Sequence, residues 1–264
     1  VLTDQGVVVG IVALADLQHV HHEIRFYKGA LCPGFINTHC HLELSWAKGM
    51  IDKGRGLDSF VRQLESLRRT VPEAQVQQAI ALAAADMTKA GIVATADIAN
   101  GTKTLPFKSS STHYFHTFVE VFGSDPAYAA SIHQKALGLK SQFESRLSAG
   151  QVSIVPHATY SLSEELFKLV LSDGQGDVKS IHHQENEDEN HFFNNGSGPI
   201  ALRRKAFNPH LPPYAGTGKR PMESIAGFFN PDHKLLLVHN TVSQPEDIAF
   251  VQHYFKQAYW CFCP

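Results

Sequence analysis

The chain has 264 residues, 43% hydrophobic and 18% charged, with a formal net charge of −2. That length and apolar content fit one large globular domain or two small ones with a sizeable core. Lys and Arg are scattered, which leaves no basic footprint for nucleic acid. No apolar run reaches the length of a membrane span, and no charged segment leading into an apolar one marks a signal peptide.

Cys32, Cys40, Cys261 and Cys263 do not have the spacing of a secreted disulfide framework, so a reduced, cytoplasmic protein is expected. Histidine is the unusual residue, with 16 in the chain. Those of "HVHH" (His19 to His22) read as surface residues. Histidine is the commonest metal ligand, so the informative ones are those that end apolar runs.

Residues 1–31 read as short strands: "GVVVGIVAL" is β-branched and "HHEIRFYKGAL" alternates. They predict a small β-domain or a β-edge. From Cys32 onward, short apolar strands alternate with helical stretches. "GFINTHCH" is the first strand. Residues 57–90 are helical with a break at Pro72, and Gly91 ends that helix. "GIVATADIA", "HYFHTFVEVFG" and "QVSIVPHATYS" are the second to fourth strands, with a helix at about 126–148 before the fourth. "SEELFKLVLSD" is a helix with Ser163 as its N-cap. "DVKSIHHQE", "KLLLVHNTVS" and "QAYWCFCP" are the fifth to seventh strands, with the helix "QPEDIAFVQHYFK" between the last two.

Near-continuous apolar strands alternating with helices imply a parallel sheet. Seven such units predict an α/β fold of the (β/α)8 TIM-barrel type in residues 32–264, with the eighth strand missing. No glycine-rich loop follows the first strand, which argues against a dinucleotide fold. A barrel one strand short leaves raw edges, so the chain is expected to stop before its fold ends. Residues 190–222, rich in Asn, Gly and Pro, break the rhythm after the fifth strand. They predict a long loop, either a lid over the site or a disordered segment.

His39 and His41 close the first strand, His157 the fourth, His182 and Glu185 the fifth, and His239 the sixth. In a parallel barrel those ends converge on one mouth. His-x-His on a strand sends both imidazoles to one side, and two neutral imidazoles can share a metal ion. His182 supplies a third ligand in this reading. Each of these residues alone reads more simply, a histidine as a hydrogen-bonded core or loop residue and Glu185 as a surface charge. Their recurrence at four strand ends is what packing does not explain. A rival zinc site at Cys261-x-Cys263 needs two more ligands.

These motifs resemble the amidohydrolase superfamily, in its branch of aminated-heterocycle deaminases and chlorohydrolases. "PGFINTHCHLE", "PHATYS", "HHQE", "LLLVHN" and "CFCP" are similar, in order, to its signatures on strands one, four, five, six and seven. "HLELS" followed by "GLDSFVRQLESLR" is most similar to the aminodeoxyfutalosine deaminases. The resemblance implies that His39, His41 and His182 bind one divalent metal, zinc or iron. It implies Glu185 as proton donor to a substrate ring nitrogen, His239 as the residue orienting the activated water, and His157 as a substrate contact. It also assigns residues 1–31 to a small flanking β-sandwich. The family's strand-eight Asp ligand has no counterpart here, and Asp97 is a poor substitute by position.

The expected activity is hydrolytic deamination of a small aminated N-heterocycle or purine nucleoside-like substrate. Phe60 and Arg68 are candidate substrate contacts on the helix after strand one. Hydrolysis at another C–N or C–Cl bond, and a barrel that has lost its site, are the alternatives. Oligomeric state stays open, a homodimer included.

Overall fold

The computed structural model describes residues 1–4, 7–17, 25–148, 150–174 and 176–263, so His19 to His22 lie outside the described residues. The chain divides into two compact units, Val1–Pro33 and Gly34–Pro264.

In the smaller unit, β1 (Leu2–Asp4) pairs antiparallel with β2 (Val7–Gly10). The alternating stretch that ends at Leu31 does not form the expected strand. Its described part, residues 25–31, is irregular and exposed. A strand needs a hydrogen-bonded neighbour, and no described strand pairs with this segment.

The larger unit alternates strand and helix. β3 (Phe35–Cys40) leads through a 3-10 segment to α1 (Leu57–Leu67) and α2 (Glu73–Lys89). Pro72 separates the two helices, and α2 ends where Gly91 takes φ +81°, a conformation glycine adopts without steric cost. β4 (Ile92–Ala99), α3 (Leu105–Ser110), β5 (Tyr114–Val121), α4 (Ala129–Glu144), β6 (Val152–Pro156) and α5 (Glu164–Ser172) follow. Ser163 caps α5, its hydroxyl accepting from the backbone N–H of Leu166. β7 (Val178–His183), α6 (Glu187–Asn195), α7 (Gly198–Phe207), α8 (Pro221–Ile225), β8 (Lys234–His239), α9 (Pro245–Tyr254) and β9 (Gln257–Cys261) complete the order. No helix among the described residues is long and apolar enough to cross a membrane.

The strands from β3 to β6 form one parallel sheet and those from β7 to β9 another, in sequence order. A parallel bridge between Ala158 and His182 links the two just beyond β6. This is the strand order of a (β/α)8 barrel through its first seven strands. Ile98, Phe118, Val155, Leu236, Val238 and Cys261 pack together as one apolar cluster, and Thr38 Oγ1 donates to Cys261 Sγ at 3.1 Å, joining β3 to β9. A second layer packs Val119, Ile154, Ile181, Leu235 and Leu237 against Phe143, Leu166, Phe167, Val170 and Val251 from the helices. Burying each such side chain contributes about 1.5–3 kcal/mol, so the strands are held by both layers.

Residues 190–222 are not the long loop their composition predicts. α6 and α7 occupy about half of the segment, and α8 begins at its end. The residues that read as loop are cap residues. The Asn186 side chain accepts from the Asp188 N–H, Gly196 ends α6 at φ +69°, and a proline sits in the first turn of α7. Only the stretch from 208 to 220 is irregular. Arg203 of α7 reaches Glu65 at 3.3 Å and Asp58 at 3.6 Å, so α7 is tied to α1.

Candidate metal centre

Each element delivers one or two side chains to the C-terminal end of the barrel. On β3 the pairing with β4 slips between Asn37 and Cys40. Such irregularities re-aim side chains next to sites, and the rings of His39 and His41 come to 4.9 Å centroid to centroid. His182 ends β7, 4.9 Å from the His39 ring and 5.4 Å from that of His41. The Nε2 atoms of His41 and His182 lie 3.3 Å apart. His239 ends β8 at φ +78°, followed by Asn240 at φ +58°. That left-handed turn brings the His239 ring to 5.3 Å from His182 and 5.8 Å from His39. Asn240 holds the turn: its side-chain amide donates to the carbonyls of Leu237 and Cys261, and its oxygen meets His183 Nδ1 at 3.0 Å.

Glu185 follows Gln184, which takes φ +46°. The Gln184 side chain is clamped between Ser243 Oγ, at 2.6 Å, and Asn190. Glu185 Oε1 then lies 3.7 Å from His239 Nε2. The His157 ring packs 4.8 Å from that of His182, and the His157 carbonyl oxygen accepts from His182 Nδ1 at 2.6 Å. Phe122 and Tyr160 present their rings edge-on to His157. All the predicted histidines and Glu185 are therefore brought together. Phe60 and Arg68 are not: both lie on α1 or at its end, and neither side chain has a hydrogen bond or ring contact with the histidines among the described residues. The Arg68 charge does reach Glu43.

Burial dominates the electrostatics. It pushes His39 down to about 2, with the neighbouring imidazoles adding to the effect. Burial likewise holds His41 at about 4, against the carboxylate of Glu120, and His157 at about 3 and His239 at about 4. Neutral imidazoles keep a lone pair for a metal ion. Burial raises Glu185 above the usual carboxylate range, against the opposing influence of His182.

The residues fit a metal ion. The ligand nitrogens of His39, His182 and His239 lie within 4.8 Å of one another, and so do the ligand atoms of His41, Glu120 and His182. His39 Nδ1 and His41 Nδ1 are buried without a hydrogen-bond partner among the described residues. Tetrahedral zinc–imidazole bonds of about 2.0–2.1 Å set ligand nitrogens about 3.3–3.4 Å apart, the spacing found between His41 and His182. Cys261 and Cys263 gain no such company: Cys261 accepts from Thr38, and neither belongs to a ligand group among the described residues. Asp97 is engaged elsewhere, with Lys108 Nζ at 2.7 Å and the Leu42 N–H at 2.7 Å.

Residues 30–264 match the model of the Amidohydrolase family. The chain belongs to that family. It is 28% identical over 243 residues to the aminodeoxyfutalosine deaminase of a Nitratiruptor species, covering 89% of this chain and 56% of that protein. The amidohydrolase fold is shared with Helicobacter pylori aminofutalosine deaminase, solved in complex with methylthio-coformycin. That match has a TM-score of 0.75 at 21% identity and covers 88% of this chain and 56% of the other. Atrazine chlorohydrolase from Arthrobacter aurescens, solved with zinc, matches with a TM-score of 0.62 at 16% identity, over 87% of this chain and 53% of the other. The chain thus spans little more than half the length of these relatives.

Three polar residues at the mouth escape a reading by histidine position. Glu120 is buried at the end of β5, Glu43 is buried just beyond His41, and Asn100 follows β4. Their signal was a carboxylate set inside an apolar run, "FVEVF" around Glu120 and "HLELSW" around Glu43.

Proposed function

We propose that the intact protein hydrolyses the exocyclic C–N bond of an aminated N-heterocycle, releasing ammonia. The observation that carries this reading is the pair of ligand clusters that share His182, one with His39 and His239 and one with His41 and Glu120, with Glu185 beside His239. His39, His41 and His182 would hold one divalent cation, zinc in this reading. Such a cation supplies Lewis acidity and lowers the pKa of water to near neutrality. The similarity to the Nitratiruptor aminodeoxyfutalosine deaminase supports the choice of a deaminase over another hydrolase.

The side chains have separable tasks. His239 Nε2 faces the same point as the ligand histidines, so it accepts a hydrogen bond from the attacking water and aims it. Water adds to the ring carbon that bears the amine. Glu185, whose carboxyl burial pushes above the usual carboxylate range, gives its proton to the adjacent ring nitrogen, so no negative charge builds there. The C–N bond then breaks: one proton of the water, relayed through His239, leaves on the ammonia, and the other returns to Glu185 as the hydroxyl becomes a carbonyl, which restores the acid. His157 lines the substrate side of the cluster in this reading, and Phe60 and Arg68 stay candidates for contact with the outer part of the substrate. Residues 1–31 belong, in this reading, to a small β-sandwich portion, and the protein works in the cytoplasm on a small molecule.

Ammonia release by the intact protein, assayed against purine nucleosides, guanine, cytosine, s-triazines and aminodeoxyfutalosine, tests the activity. Glu185→Gln should lower turnover by about 10²–10⁴-fold at unchanged metal content, the range of a general acid. Full turnover by that variant would remove Glu185 from the mechanism.

A further inference from the structure

Glu120 is an acidic side chain inside an otherwise apolar stretch of β5, and it is 8% exposed. One of its oxygens, Oε2, accepts from the side-chain amide of Asn100 at 2.9 Å. The other, Oε1, lies 3.5 Å from His182 Nδ1. The backbone N–H of Asn100 is in turn held by both oxygens of buried Glu43, at 3.2 and 3.3 Å. A hydrogen-bonded chain therefore runs from Glu43 through Asn100 to Glu120, whose Oε1, buried without a hydrogen-bond partner among the described residues, stands 3.5 Å from one nitrogen of His182.

The two nitrogens of His182 face different partners. Nε2 looks toward His41 Nε2 at 3.3 Å. Nδ1 looks toward the His157 carbonyl at 2.6 Å and toward Glu120. An acceptor at 2.6 Å places the proton on Nδ1, which leaves the lone pair on Nε2, the nitrogen that shares its space with His41. A carboxylate on the protonated side of an imidazole fixes the tautomer and makes the far nitrogen a stronger donor to a metal. No Lys or Arg forms a salt bridge with Glu120 or Glu43 among the described residues, and buried Lys108 is paired with Asp97.

We infer that Glu120 is a positioning residue of the metal centre, acting through His182 Nδ1 and held in place by Asn100 and Glu43. The inference rests on the reading of His39, His41 and His182 as metal ligands. It assigns Glu120 no bond to the ion, because the His182 nitrogen it faces already carries a proton. It accounts for an ionisable side chain in the barrel interior that the deamination chemistry itself does not use.

Zinc affinity of the intact protein, measured by competition with a chromophoric chelator, separates the possibilities. Wild type, Glu120→Gln, Glu120→Asp, Asn100→Ala and His41→Ala are compared, with metal-free thermal unfolding of each as a check on the fold. Glu120→Gln should bind zinc about 10–100-fold more weakly than wild type, with its metal-free unfolding midpoint little changed. Glu120→Asp, which keeps the charge, should bind more tightly than Glu120→Gln. Asn100→Ala should show a smaller loss of the same kind, and it carries the test if the Glu120 variants do not fold. Unchanged affinity in both Glu120→Gln and Asn100→Ala overturns the inference while leaving the metal site intact. Complete loss in Glu120→Gln, equal to that in His41→Ala, overturns it in favour of Glu120 as a direct ligand. Absence of zinc binding by wild type removes the underlying metal reading, a different and recognisable result.

Discussion

The imidazoles of His41 and His182 meet Nε2 to Nε2 at 3.3 Å, although 141 residues of chain separate them. Burial holds His41 at about 4, so its ring is uncharged at neutral pH. Two imidazole nitrogens that close, with the His182 proton on its other nitrogen, place their lone pairs around a common point. A ligand that binds only the folded state stabilises it by mass action, by about 2.7 kcal/mol at a hundred times its dissociation constant. Zinc at that excess should raise the unfolding midpoint of the intact protein, and a chelator should reverse the rise. His41→Ala should abolish the effect. A midpoint indifferent to zinc and chelator would count against a metal at this point.

The Lys108–Asp97 pair is a second buried relationship. Both side chains are fully buried at 2.7 Å, Lys108 also donates to Thr117 Oγ1, and Asp97 accepts the Leu42 N–H that anchors the chain just past His41. Removing one partner of such a pair strands the other charge and costs about 3–5 kcal/mol. Lys108→Met should lose stability of that order in urea unfolding. Lys108→Met combined with Asp97→Asn should lose less than the two single losses added, because the stranded charge is gone.

Glu189 carries a pH signature. Burial pushes it up to about 7, and Thr159 Oγ1 donates to it at 2.6 Å. An unfolded glutamate titrates near 4.5. Between those values the folded protein keeps a proton that the unfolded chain has released. The stability Glu189 contributes is complete below pH about 4.5 and is lost as pH rises through about 7. Glu189→Gln keeps an acceptor for Thr159 and cannot ionise. Its unfolding free energy should match wild type near pH 4.5 and exceed it by about 1–3 kcal/mol at pH 8. Parallel profiles over that range would mean that Glu189 is not protonated in the folded protein at neutral pH.

Asn240 sets the turn that presents His239. At φ +58° an alanine costs about 1–2 kcal/mol that glycine does not. Both substitutions lose the bonds to His183, Leu237 and Cys261. Asn240→Gly and Asn240→Ala should therefore both destabilise, alanine by about 1 kcal/mol more. Equal losses would show that the backbone relaxes out of the left-handed region.

The strands were legible because each is an apolar run with a polar residue at its end, and "KLLLVHN" and "QVSIVPH" read directly as β8 and β6. The histidine cluster followed from those ends, since a parallel barrel gathers them. The helices α6 and α7 were not legible, because Asn186, Gly196 and the proline of α7 are the same residues that build loops. Only their positions at helix ends distinguish caps from turns. Glu120 was passed over for a different reason. Alternation along β5 shows that it shares a face with Phe118, but nothing in the order of residues says that His182 Nδ1 stands opposite. That pairing exists only once β5 and β7 are brought into one barrel.

The bond from His182 Nδ1 to the His157 carbonyl is made by the main chain. No replacement of the His157 side chain removes it. The side chain at position 157, a substrate contact in the proposed reading, can therefore change its chemistry while the tautomer of His182 stays fixed. On that reading, recognition and metal geometry are inherited separately at this corner of the barrel, which would leave the pocket free to be retuned for a new ring without rebuilding the centre beside it.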